Sequence, residues 1–181
     1  DGGSPYTWFV GEGNGSSVDI SNSAYTIRIV REPASGNDAT SWGSLQDLRF
    51  DDASVEATVR ASDFSNGDGV RVGLWLRYQD SNNFLAFMLR SDGRYRIARF
   101  AEEYTEIADG WTPSDSIQIG DNTPNVIRVD SLGNRYDLYI NGTFIESVVD
   151  ETWDDGRVTF MGAAPFSPAV FFMDDIQICG N

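Results

Sequence analysis

Carboxylates are the most abundant side chains here that can do chemistry. Asp and Glu total 28 against 13 basic residues; all of the latter are Arg, Lys and His are absent, and the net charge is -15. A carboxylate pair that retains configuration at a sugar carbon needs its two groups about 5 Å apart, which alternate positions on one strand supply. Only eight Glu are present, and none of the acids offers that spacing on a strand. Glu102-Glu103-x-x-Glu106 lies in a loop-like stretch, Glu146 stands alone, and Asp174-Asp175 are neighbours that point to opposite faces. Without His, Ser-His-Asp triads, His-based zinc sites and histidine general bases are all removed. The residues therefore argue for binding rather than turnover.

Two sets remain. Simple alternation puts Asp174 in a row with Val170, Phe172, Ile176 and Ile178, and Asp175 with Phe171 and Met173. An aspartate in an apolar row needs an Arg partner or a bound cation; Asp19, Asp51 and Asp52 are candidate co-ligands. The second set is Arg71, Trp75, Arg77, Arg94, Arg96 and Tyr139. On one sheet face these rings and guanidinium groups would suit a glycan. They would equally suit a solvated face on which Arg stems cover the sheet and pair with Asp.

The elements that must position these residues read as strands. Alternation of period two recurs, broken every eight to twelve residues by Gly, Asn, Asp or Pro, and no helical spacing persists for three turns. Strands are expected at Thr7–Val10, Ser17–Ile20, Ala24–Arg31, Leu45–Phe50, Ala53–Ala61, Gly69–Tyr78, Asn83–Arg90 and Gly93–Phe100. They continue at Tyr104–Ala108, Asn125–Ser131, Arg135–Asn141, Thr143–Val149, Arg157–Gly162 and Ala169–Cys179. Asn141-Gly142 suits a type I′ hairpin turn, since both residues tolerate positive φ. Glu32–Gly43 and Glu102–Thr123 read as long loops carrying Trp42 and Trp111, and Trp153 also sits beside a loop. Cys179, the single cysteine, closes the last strand as a small apolar residue or serves as a thiol.

At 181 residues the chain makes one domain with a real core. We read it as an all-β, two-sheet antiparallel β-sandwich spanning 21–181, preceded by an extended segment, 1–20, that docks on its own domain or on a neighbour's. Trp8, Phe9 and Val10 form an isolated apolar patch in that segment. The absence of an apolar run near eighteen residues argues against membrane insertion, and the acidity argues against nucleic acid. The chain opens on Asp1 rather than Met, as expected of a trimmed chain.

Several stretches, among them "GVRVGLWLRYQDSNNFLAFMLRSDGRYRIARF", "YINGTF" and "FFMDDIQI", resemble the concanavalin A-like lectin/glucanase superfamily, in its laminin G-like and glucanase-like forms. The resemblance covers about Ser54 to Ile178. It implies a jelly roll from a secreted or surface-bound bacterial protein, glycan binding on the concave sheet or its rim, and a structural calcium held by Asp174, Asp175 and Asp19. The glucanases' Glu-x-Asp-x-x-Glu arrangement is missing. Two functions follow. The first is a structural or adhesive subunit of a bacterial surface assembly or fibre, joined to copies of itself or other surface proteins by exchange of Trp8, Phe9 and Val10. The second is a lectin-like glycan-binding module with calcium. The sequence places the first ahead.

Overall fold

The structure, a computed structural model, describes residues 7–21, 24–30, 38–46, 48–65, 69–165 and 168–180. Among these no residue is helical, and two antiparallel sheets account for the fold. The strands are β1 Gly11–Gly13, β2 Ser16–Ser21, β3 Ala24–Ile29, β4 Ala39–Ser44, β5 Ala53–Ala61, β6 Arg71–Asp80, β7 Asn83–Arg90 and β8 Arg94–Ala101. Then come β9 Glu103–Glu106, β10 Thr112–Pro113, β11 Asn125–Leu132, β12 Arg135–Ile140, β13 Thr143–Val149, β14 Arg157–Ala164 and β15 Ala169–Gly180. The first sheet runs β1-β2-β3-β15-β5-β11-β12-β13; the second runs β10-β8-β7-β6-β14-β4, with β9 also on β8. The all-β sandwich expected from alternation is what forms.

Alternation fixes which side chains make the core. On β5, Ala53, Val55, Ala57, Val59 and Ala61 are buried while Ser54, Glu56, Thr58 and Arg60 are not. Tyr136, Leu138 and Ile140 of β12 and Phe87, Phe160 and Phe171 of β7, β14 and β15 meet them between the sheets. Each such large side chain contributes roughly 1.5–3 kcal/mol by leaving water. Asn141 and Gly142 both have positive φ, 50° and 78°, in the two-residue turn between β12 and β13, as a type I′ turn requires.

Three expectations change. The stretch 39–43, read as part of the loop Glu32–Gly43, belongs with Ser44 to the edge strand β4, paired with β14 from Ala39 to Ser44. The expected strand 45–50 reduces to single bridges at Leu45 and Phe50. Thr7–Val10 is likewise not a strand: Trp8 makes one bridge to Leu45. Positions 1–6, 31–37 and 47 of the expected elements lie outside the described residues.

Two bulges then defeat simple alternation. Arg77 has φ +52° at a register shift on β6, and Asp175 has φ +49° at one on β15. An extra residue in one strand sends the side chains beyond it to the other face. Gly156 makes room for the first bulge, because a Cβ there would lie 2.3 Å from the Arg77 backbone.

Candidate functional site

The bulge at Arg77 decides what the outer face of the second sheet carries. It turns Arg77 inward and brings Tyr78 outward beside Trp75. That face holds its own buried cluster of Trp75, Tyr78, Phe84, Ala86, Met88, Met161 and Ala163, flanked by Trp42, Phe100 and Trp111. This is why β6 and β7 read as near-continuous apolar runs: both of their faces are covered.

Register orders the face into rows that cross the strands. Thr159, Trp75, Ala86, Ala98 and Glu106 form one row; Tyr78, Phe84, Phe100 and Tyr104 lie in the next. The rings make a continuous bank. Trp42 and Trp75 lie 5.3 Å apart, Trp75 and Phe84 stack at 3.9 Å, Phe84 and Phe100 at 4.7 Å, and Phe100 meets Tyr104 edge-on at 5.1 Å. Trp42 Nε1 donates to Tyr78 Oη at 3.2 Å.

At one end of the bank the side chains become charged. Arg71, Arg90 and Arg94 are cross-strand neighbours, and Arg96 faces Met88 in the adjoining row. Each guanidinium has a carboxylate: Arg71 with Asp38, Arg90 and Arg94 with Asp92, Arg96 with Glu106. Trp111, from the loop before β10, lies under both Arg90 (4.4 Å) and Arg96 (4.9 Å). Burial pushes the Arg71 pKa down although Asp38 opposes it, and the charges of Arg96 and Arg90 push the same way. Its hydrogen bond from Arg90 holds the Asp92 carboxyl below the usual carboxylate range. Buried polar atoms without partners gather here: Arg71 Nε, Trp75 Nε1, Arg96 Nε and Glu106 Oε2.

Of the six candidates for a glycan surface, the structure gathers Arg71, Trp75, Arg94 and Arg96. It separates the other two. Arg77 is 4% exposed and donates to Tyr136 Oη, the Phe50 carbonyl and the Gly133 carbonyl between the sheets. Tyr139 lies on the outer face of the other sheet, under Arg128 at 3.9 Å. The face also contains Trp42, Tyr78, Phe84, Phe100, Tyr104 and Trp111, which come from β4, β6, β7, β8, β9 and the loop before β10. Trp153 packs instead against the main core.

The acids do not assemble as one ligand set. The bulge at Asp175 turns Ile176 and Ile178 to the core and leaves Asp174 facing out, where it pairs with Arg60 at 3.1 Å. Asp19 pairs with Arg28 on the neighbouring strand, and Asp175 is exposed. Among the described residues no three acidic or sulfur side chains are grouped to hold a metal. The exchange patch is also divided. Trp8 is 5% exposed, packs 4.9 Å from Tyr25 and belongs to its own sandwich, while Phe9 and Val10 face solvent. Tyr25 Oη donates to the Phe9 carbonyl at 2.6 Å and fastens the segment further.

No family model matches this sequence, and no curated protein matches it. Solved structures do. The carbohydrate-binding module CBM66 from Bacillus subtilis superposes with a TM-score of 0.71 at 16% identity over 96% of each chain. The Crh5 transglycosylase in complex with NAG gives 0.67 at 13% identity, over 96% of this chain and 78% of that one. The GH16 protein of the Bacteroides ovatus mixed-linkage glucan PUL, in complex with a G4G4G3G product, gives 0.61 at 10%, over 96% and 94%. The fold is a concanavalin A-like jelly-roll sandwich. In this jelly roll the ring bank and the Arg–carboxylate pairs occupy the outer face of the seven-stranded sheet.

Proposed function

We propose that the protein is a secreted or surface-bound carbohydrate-binding module that takes its ligand on the outer face of the seven-stranded sheet. The observation that carries this is the joining of the ring bank to the Arg–carboxylate pairs around Trp111. Trp75, Tyr78 and Phe84 are the buried bed of the bank. The rings left accessible around it, Trp42, Phe100, Tyr104 and Trp111, can cover the C–H faces of sugars while guanidinium–carboxylate pairs offer donors and acceptors to hydroxyls. Similarity to a carbohydrate-binding module and to glucan-active proteins supports the same reading. It is preferred to a fibre subunit because Trp8, the bulkiest residue of the exchange segment, is already in its own core. We also propose that binding proceeds without hydrolysis. Between Arg71 and Tyr78 the outward positions of the central strands β14, β6 and β7 carry no carboxylate, and Glu106 is held by Arg96.

The test is calorimetric titration with neutral tetrasaccharides of glucose, xylose, mannose and fructose, alongside a reducing-sugar assay. Trp111→Ala is expected to weaken binding at least tenfold, by about 1.4 kcal/mol, with no sugar released by either protein. Wild-type protein that binds none of the panel overturns the proposal; steady release of sugar overturns its non-catalytic part.

A further inference from the structure

Beyond the ring bank the sheet ends at β4, and there the surface folds into a cleft of about 500 Å³. Its walls come from both sheets. Trp42, Tyr78, Asp80 and Arg157 stand on one side, and the β1–β2 hairpin, with Glu12 and Asn14, on the other. The volume lies within the range of small-molecule sites, about 300–1,000 Å³.

The chemistry of the walls is mixed. Trp42 and Tyr78 supply ring surface, and the Arg157 guanidinium sits 5.6 Å over the Tyr78 ring. Asp80 accepts from Asn82 N and Asn83 Nδ2, which fixes its carboxylate and draws its pKa down. The open edge of β4 adds main-chain groups. Phe9 N donates to the Ser44 carbonyl and Leu45 N to the Val158 carbonyl. Even-numbered residues of β4 therefore direct their N–H and C=O away from β14, and Trp42 presents its pair toward the cleft. A ring wall facing fixed donors and acceptors matches a ligand with one apolar face and a hydroxyl rim. Glu12 and Asp80 against the single Arg157, in a chain of net charge -15, repel anionic sugars.

We propose that this cleft is a second saccharide-binding site, which takes a neutral sugar unit independently of the surface around Trp111. It rests on the carbohydrate-binding reading for its ligand class and shares Trp42 and Tyr78 with the edge of the ring bank, but Glu12, Gly13, Asp80 and Arg157 belong to the cleft alone. A Cβ built on Gly13, in the cleft wall, meets no atom within 4 Å, so Gly13→Leu fills the cleft without a clash at its root. Arg157→Gln removes the cation from the opposite wall.

Titration of the intact chain with the same neutral tetrasaccharides, and with uronate counterparts, separates the outcomes. The expected result is two sites per chain for at least one neutral sugar, reduced to one by Gly13→Leu or Arg157→Gln and to the other one by Trp111→Ala, with no uronate bound in the cleft. A single site lost in Trp111→Ala and untouched by Gly13→Leu and Arg157→Gln overturns the cleft proposal and leaves the proposed function standing. A single site lost in the two cleft variants alone supports the cleft and overturns the Trp111 surface. No binding by the wild type overturns both.

Discussion

Arg77 and Asp175 sit in the left-handed region, each at a bulge, and each redirects the side chains that follow it. For Arg77 the result is a buried guanidinium satisfied by a phenol and two carbonyls rather than by a carboxylate. Its removal leaves those acceptors unpaired under the sandwich end. We expect Arg77→Met to cost about 3–5 kcal/mol, a fall of roughly 10 °C in Tm for a domain of this size. A thermal melt checks it, and a loss of under about 1 kcal/mol would mean the end is held by other contacts. Asp175 is exposed, and its role is conformational. Asp tolerates positive φ and a β-branched residue does not. Asp175→Gly should leave stability within about 0.5 kcal/mol and Asp175→Val should lower it by about 1–2 kcal/mol; equal melting points would remove the bulge from the account.

The N-terminal segment is an element without being a strand. Trp8 enters the core beside Tyr25, Phe9 N and Gln46 N bond across to Ser44 and Thr7 carbonyls, and the chain crosses the end of β4. Trp8→Ala should cost about 3–5 kcal/mol by emptying a core position, read by urea denaturation. An unchanged midpoint would show that the segment is detachable and would restore it as a donor to other chains. The same scale shows what the sequence could reveal. β5 appears at the bounds that alternation indicated, Ala53–Ala61, because nothing interrupts its period, and β7 at Asn83–Arg90 because turn residues bound its apolar run on both sides. β4 was hidden because "ATSWGS" lies in a Ser-, Gly- and Asn-rich run whose small polar residues imitate a loop. Arg71, Trp75, Arg94 and Arg96 were legible as one surface since they lie on consecutive hairpin strands. Trp42, Trp111 and Glu106 join them only through strand order and loop path, which local pattern does not carry. The outward turn of Tyr78 and the inward turn of Arg77 needed the bulge, and a Leu-x-Leu-x-Tyr period conceals it.

Across the whole molecule two electrostatic effects of opposite sign set the pH of greatest stability. The excess of 28 acids over 13 Arg makes the folded chain repel itself at neutral pH. Protonating solvated carboxylates relieves that repulsion as pH falls toward about 5, and salt above about 0.5 M should flatten the same gain by screening. Asp92, Asp137 and Asp155 act the other way. Hydrogen bonds from Arg90, from Ser147 and from Arg49 respectively hold their folded pKa values below the usual one. A depressed carboxylate contributes stability that is complete above the unfolded pKa of about 4 and is lost as pH falls through the folded value. Stability should therefore rise from pH 8 to about 5 at low salt and fall below about 4. High salt should leave the acid limb largely in place, because hydrogen-bonded pairs are screened less than distant charges. Asp92→Asn should shallow that limb without moving the rise between pH 8 and 5. Melting temperatures across this range at two salt concentrations test the whole pattern. A steady decline from pH 8 downward would mean that self-repulsion is already neutralised by the ion pairs that line both outer faces.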